Sequence, residues 1–197
     1  MDNGNKLVGL TGRKGSGKDT AAKALLDKGY QNVKFAGALK DMLRCLLTYQ
    51  GADEALIERM VEGDLKEEPT TYLQGRTPRH AMQTLGTEWG RDMIGDNLWV
   101  DAAMNRAKLG DTVITDVRFP NECQAVKDNG GMVFLIVPGN HGDSSDMHPS
   151  EAMIDELTVD REIVNYIEPN PTDADWSMAA LGTKLLRAIE EESGNNS

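Results

Sequence analysis

The sequence predicts an α/β chain with a mostly parallel sheet and helices on both of its faces. Three observations predict it. Short apolar runs recur at Lys6 to Thr11 (KLVGLT), Thr112 to Val117 and Met132 to Val137 (MVFLIV), each too short for a helix and rich in branched residues. Segments of helical period separate them, and strands alternating with helices give a parallel sheet with covered faces. A glycine-rich turn joins the first strand directly to the first helix.

The elements follow in order. After the first strand, Lys18 to Lys28 (KDTAAKALLDK) reads as a helix ended by Gly29, and Gln31 to Phe35 as a second strand. Helices follow at Ala38 to Thr48 and Asp53 to Glu62, and Glu62 to Gly75 (EGDLKEEPTTYLQG) reads as a connecting loop. Thr77 opens a helix running to Met93, with Pro78 in its first turn. Leu98 to Lys108 continues as a helix, then come the strand at Thr112, a helix at Asn121 to Asn129 and the strand at Met132. Beyond Pro138 the chain loses apolar periodicity, and Gly139 to Pro149 (GNHGDSSDMHP) reads as a surface loop and lid. A helix at Ser150 to Leu157, a strand near Glu162 to Tyr166 and a helix at Asp175 to Glu191 close the sequence, with Glu190 to Ser197 too polar to pack.

At 197 residues the expectation is one domain spanning 1–197, with a helical insertion at about 38–108 and a lid at about 139–160. Hydrophobic residues are 39% and charged residues 27%, ordinary for a globular protein, so neither linker nor repeat is expected. Met1 to Asn5 carries no signal pattern and the longest strongly apolar run is far short of a membrane span. A cytoplasmic protein with no membrane partner is the expectation. Cys45 and Cys123 lack metal or redox spacing and read as reduced packing residues within helices. The net charge of -11 disfavours a long nucleic acid as partner, because many phosphates would have to be neutralised. Positive charge nevertheless collects at Lys6, Arg13, Lys14 and Lys18, a stretch with no acid, so one small anionic ligand is compatible with the balance. Oligomeric state leaves no readable mark, and monomer and homodimer both stay open.

The chemistry starts at Gly12-Arg13-Lys14-Gly15-Ser16-Gly17-Lys18, which fits GxxxxGK, the Walker A pattern. The strand before it and the alanine-rich helix after it supply the context the pattern needs. Glycines let main-chain N–H groups converge on phosphate oxygens, and the helix N-terminus adds partial positive charge. Lys18 would reach the β and γ phosphates. The fold class is then a P-loop NTPase three-layer sandwich. Asp19 stands where Ser or Thr usually ligates magnesium; it serves either the metal or the first helical turn, and Thr20 follows as a donor to the α-phosphate. Asp116 ends an apolar strand, as a Walker B carboxylate does, and pairs with Asp19 as the second expected Mg²⁺ residue. Arg118 is placed for a phosphate or for an ordinary surface ion pair.

The helix from Pro78 offers an acceptor face. At about 100° per residue, Gln83, Thr87 and Arg91 fall within about 120° of Arg79, while Ala81, Met82, Leu85, Trp89 and Met93 form the opposite, core-facing arc. Gly86 and Gly90 flank Arg79 at a cost of roughly 1 kcal/mol each to the helix, so something should approach that stripe closely. A nucleotide fits, with Arg79 and Arg91 for phosphate, Gln83 for a base amide contact and Gly86 for room. A merely solvated amphipathic helix is the alternative.

These residues resemble the bacteriophage deoxynucleoside monophosphate kinases. The resemblance lies in Gly12 to Thr20 (GRKGSGKDT), Leu85 to Ile94 (LGTEWGRDMI) with Leu98 to Val100 (LWV), and Ile114 to Glu122 (ITDVRFPNE), and it touches His148 to Glu151 (HPSE). It implies ATP as donor, Mg²⁺ and a deoxynucleoside monophosphate acceptor, with Gly12, Gly15, Gly17, Lys18, Asp19 and Thr20 on the donor phosphates and metal. It further implies Trp89, Arg91 and Asp92 on the acceptor side, and Asp116, Arg118 and Glu122 around the reacting phosphates. The expected reaction is in-line phosphoryl transfer, with Lys18, Arg118, Asp116 and Arg91 as its catalytic residues. Two rivals are a P-loop kinase acting on another acceptor, such as a hydroxymethylated base within phage DNA, and a nucleotide-dependent switch. The first would need a basic stripe with aromatic stacking residues, and the second leaves the acceptor face without a duty; no NKxD pattern occurs.

Overall fold

The computed structural model describes residues 5–139, 153–166 and 174–195. The lid residues 140–149, with His141 and His148, lie outside them, as do Ser150 and Glu151. The chain divides into two compact units, Met1–Lys34 with Met104–Ser197, and Phe35–Ala103.

The first unit is built on a five-stranded parallel sheet in the order β2-β3-β1-β4-β5. Its strands are β1 (Leu7–Thr11), β2 (Gln31–Val33), β3 (Thr112–Ile114), β4 (Met132–Pro138) and β5 (Arg161–Asn165). Every residue of β1 is buried, as expected of a central parallel strand. Val8 and Leu10 enter a core with Leu25 of α1 (Lys18–Leu26) and Leu181 and Leu185 of α7 (Ala174–Asn195). The alternate residue Gly9 faces the other way. A methyl there would stand 3.1 Å from Val117, 3.2 Å from Val133 and 3.5 Å from Val126 of α6 (Pro120–Asp128). Helices thus cover both faces of a parallel sheet, the α/β arrangement the sequence predicts.

The second unit is helical. It contains α2 (Gly37–Tyr49), α3 (Glu54–Val61), α4 (Pro78–Thr84) and the start of α5 (Leu98–Ala107). Leu43, Leu47, Ile57, Met60 and Val61 form its core, with Ala81, Met82 and Leu85 packed against them. Two helix starts follow side-chain capping. Asp53 accepts from the Leu56 N–H at 2.9 Å and Thr77 from the His80 N–H at 3.1 Å, with Pro78 in the position that needs no donor.

Several expectations need correction. The strand at Gln31 stops at Val33 rather than Phe35, and that at Thr112 stops at Ile114 rather than Val117. The loop after Glu62 contains short 3-10 turns at Asp64–Glu67 and Thr71–Leu73. The last helix does not fray at Glu190. It runs to Asn195, and Arg161 of β5 pairs with Glu191 and Glu192 on it. Cys45 is exposed and only Cys123 is buried, so one of the two expected packing cysteines faces solvent. The largest correction concerns the helix from Pro78. It is α-helical only to Thr84, and Leu85–Ile94 is a π-helix whose end is closed by the Gly95 N–H on the Gly90 carbonyl at 3.0 Å. A π turn advances less per residue than 100°, so the helical wheel drifts out of phase after Leu85. Trp89 (36% exposed) and Met93 (75%) lie at the surface, not in the core: the cluster that takes Ala81, Met82 and Leu85 does not extend to them.

Candidate functional site

The site begins where β1 ends. Parallel strands present all their carboxyl ends at one edge, and ligands bind there where the strand order reverses. After β1 the chain runs to β2 and back to β3 on one side, then crosses to β4 on the other. The register pairs Gly9 with Ile114, so Gly12 leaves β1 and Asp116 leaves β3 at the same edge of adjacent strands. Sequence-distant residues are thereby brought to one edge: the phosphate loop, and Asp116 and Arg118 after β3.

Local geometry of the loop fits phosphate. Gly12, Gly15 and Gly17 have φ of 145°, 79° and 100°, values that side-chain-bearing residues rarely adopt. A methyl on Gly12 would come within 2.4 Å of the Ile136 carbonyl, whereas the space around Gly15 is open to 4 Å. Gly17 begins α1 with no side-chain cap, so the first-turn N–H groups keep their donor capacity for an anion. Lys18 lies across the loop, its ammonium donating to the carbonyls of Gly12 at 2.6 Å and Arg13 at 2.8 Å. Ser16 turns inward. Its N–H donates to the Arg13 carbonyl at 3.1 Å, and its buried hydroxyl has no hydrogen-bond partner among the described residues. Arg13 and Thr20 are half-buried, and Lys14 and Asp19 are exposed.

Asp116 is half-buried and Arg118 exposed. Glu122 is buried, and its Oε2 accepts from the N–H groups of Arg118 at 2.8 Å and Phe119 at 3.2 Å. It fixes the backbone that carries Arg118 and starts α6.

The expected acceptor residues all belong to the helical unit. Arg79 and Gln83 are exposed on α4, Arg79 pairing with Glu67; Gly86 and Arg91 are half-buried on the π-helix. Burial pushes the nearby Lys66 ammonium down, with Lys40 and Arg79 adding to the effect and Glu62 opposing it. The close approach expected at the glycine stripe is real, and the group that makes it at Gly90 is an internal one, Trp99. Its indole N–H also donates to the Gly86 carbonyl at 2.8 Å.

Two residues escaped the sequence reading. Trp99 carried no helical-period signal linking it to Gly90, and Asn165 lies 149 positions from the loop residue it contacts. A glycine at each contact point, Gly90 and Gly17, was the one visible trace.

Residues 48–167, more than half of the sequence, match the family described as deoxynucleotide monophosphate kinase. The chain belongs to that family. A putative deoxynucleotide monophosphate kinase of Acanthamoeba polyphaga mimivirus is 34% identical over 176 residues, covering 81% of this chain and 88% of the relative. The deoxynucleoside-5'-monophosphate kinase of Escherichia phage T5 is 33% identical over 102 residues, 47% of this chain and 40% of that protein. Among solved structures, dephospho-CoA kinase from Campylobacter jejuni aligns over 97% of this chain and 98% of its own, at 13% identity and a TM-score of 0.49. The span matched to the deoxynucleotide monophosphate kinase family holds α4, the π-helix, Asp116 and Arg118; the loop Gly12 to Lys18 lies ahead of it.

Proposed function

We propose that this chain phosphorylates deoxynucleoside monophosphates to diphosphates, with ATP as the donor. The observation that carries the reading is the strand-to-helix turn Gly12 to Lys18, whose glycine conformations and uncapped helix start suit a polyphosphate. Loop N–H groups, Lys18 and Thr20 bind the donor phosphates, and Arg13, Lys14, Gly15 and Ser16 shape the loop. Arg79, Gln83, Gly86 and Arg91 hold the acceptor. For Arg79 this means exchanging Glu67 for phosphate, an exposed pair and so a small cost.

Transfer runs in line. An oxygen of the acceptor's α-phosphate attacks the γ-phosphorus while the bond to the bridging β,γ oxygen breaks, leaving ADP and a deoxynucleoside diphosphate. No general base is required, because the phosphate oxygen is already anionic. Lys18, Arg118 and Arg91 offset charge on the transferring group. Asp19 and Asp116 are hard carboxylate donors at the phosphate-loop edge and fit Mg²⁺, which takes one or two carboxylates and completes its shell with phosphates and water. Bound there, Mg²⁺ would supply charge neutralisation on the donor phosphates. No described helix is long and apolar enough to cross a membrane, and the reading carries with it a cytoplasmic location.

A turnover panel of the common deoxynucleoside and ribonucleoside monophosphates, with ATP and Mg²⁺, tests the proposal. ADP release accelerated by at least one deoxynucleoside monophosphate is expected. Release no faster with any of them than without would overturn it.

A further inference from the structure

We propose that Trp99 is a positioning residue that sets the π register of Leu85–Ile94 and so aims Arg91 at the acceptor. The inference rests on the reading that Arg91 binds the acceptor nucleotide.

Ten residues of π-helix call for an explanation, because such turns ordinarily appear singly inside α-helices and often at functional sites. Trp99 supplies one. It is 4% exposed, and its indole meets the segment at two points one helical turn apart. At Gly86 the indole N–H bonds to the backbone carbonyl at 2.8 Å. At Gly90 the ring takes the place of a side chain. A methyl there would lie 2.3 Å from Nε1, 2.5 Å from Cε2 and 2.6 Å from Cζ2, closer than real contacts allow. Trp89 adds a third contact, its ring centroid 6.0 Å from that of Trp99 at a 45° tilt.

Register decides direction. An α register would carry Arg91 about 120° from Arg79, whereas the slower π rotation brings it back toward the Arg79 side. Arg91 follows Gly90 directly, so whatever fixes Gly90 fixes the backbone from which the guanidinium departs. The two glycines and the tryptophan therefore act together to put two arginines on one side of the helix.

The test is Trp99→Phe, which keeps a ring and removes the N–H. The expected result is a roughly tenfold rise in KM for the deoxynucleoside monophosphate, as for one lost buried hydrogen bond, with KM for ATP unchanged. Combining it with Arg91→Lys distinguishes positioning from general loosening. If Trp99 acts through Arg91, the second substitution adds little to the first, whereas independent effects multiply. Both KM values rising together, neither rising, or multiplicative effects would overturn the proposal. If Trp99→Phe does not fold, Gly90→Ala, which keeps the N–H and displaces the ring, is read in the same way. Arg91→Lys alone separates the two readings: no change in acceptor KM sinks the acceptor-site assignment, while a rise without any effect of Trp99→Phe sinks this proposal only.

Discussion

The side-chain amide of Asn165 donates to the backbone carbonyl of Ser16 across 3.0 Å, joining the end of β5 to the phosphate loop. The same residue accepts from the Gly139 N–H at 2.6 Å, so it also ties down the end of β4. Asn165 is buried, and the Gly17 backbone lies against its amide so closely that a methyl on Gly17 would stand 2.5 Å from Nδ2.

Asn165→Leu removes the donor and leaves a buried carbonyl without its partner, which costs about 1–3 kcal/mol. The loop loses its support, so KM for ATP is expected to rise about tenfold while KM for the acceptor stays within about twofold. Gly17→Ala should be worse, because the position combines that contact with a φ of 100°; a loss of more than about 1 kcal/mol is expected. Steady-state kinetics with each substrate varied in turn, alongside urea unfolding, checks both variants.

Lys18→Ala should reduce turnover at least about 100-fold, the usual cost of removing a charge-stabilising donor from a transfer site. The fold should persist. Lys18 donates to the Gly12 and Arg13 carbonyls within its own loop, and losing those bonds costs on the order of 1 kcal/mol. Turnover and far-UV circular dichroism are the measurements; an active variant contradicts the phosphate role.

Arg44 gathers Asp41, Glu58 and Glu62 on the surface of the helical unit, at 3.0, 2.6 and 3.4 Å. Its hydrogen bond is the main cause that holds the Glu58 carboxyl below the ordinary 4.5. A carboxyl depressed by folding stabilises the protein above its unfolded value, and that contribution fades as pH falls through the folded one. Arg44→Gln should therefore be less stable than the parent near pH 7, by no more than about 1 kcal/mol for so exposed a pair. The gap should close as the pH drops below 4.5. Urea titrations near pH 7 and pH 3.5 read it directly.

Burial pushes the Cys123 thiol up, and Asp160 adds to the effect while Lys127 opposes it. Its Sγ donates to the Thr158 carbonyl at 3.3 Å. Cys45 is exposed on α2. A thiolate reagent at neutral pH should modify one cysteine quickly and the other only on unfolding. Cys45→Ser should abolish the fast phase, as followed by mass spectrometry.

The phosphate loop was legible in the sequence because its physics is local. Three glycines, a lysine and a helix start lie within a few residues, and no distant partner is needed to suggest their shape. The alternation of apolar runs with helical segments likewise announced a parallel sheet, and Thr77-Pro78 announced a helix start. Trp89 and Met93 lie outside the core for a reason a helical wheel does not carry: periodicity says which residues share a face, not how far the packed neighbours beneath that face extend, and here they end at Leu85.

By itself, then, the sequence determined the strand-loop-helix that suits phosphate and the class of sheet that carries it, since both follow from backbone freedom and from apolar periodicity along the chain. Tertiary structure alone decided that Asn165 backs the loop, that Glu122 secures the Arg118 backbone from a buried position, and that Trp99 fills the groove of Gly86 and Gly90. Those relationships depend on packing between separate segments, and packing is a property of three-dimensional proximity that spacing along a chain does not encode.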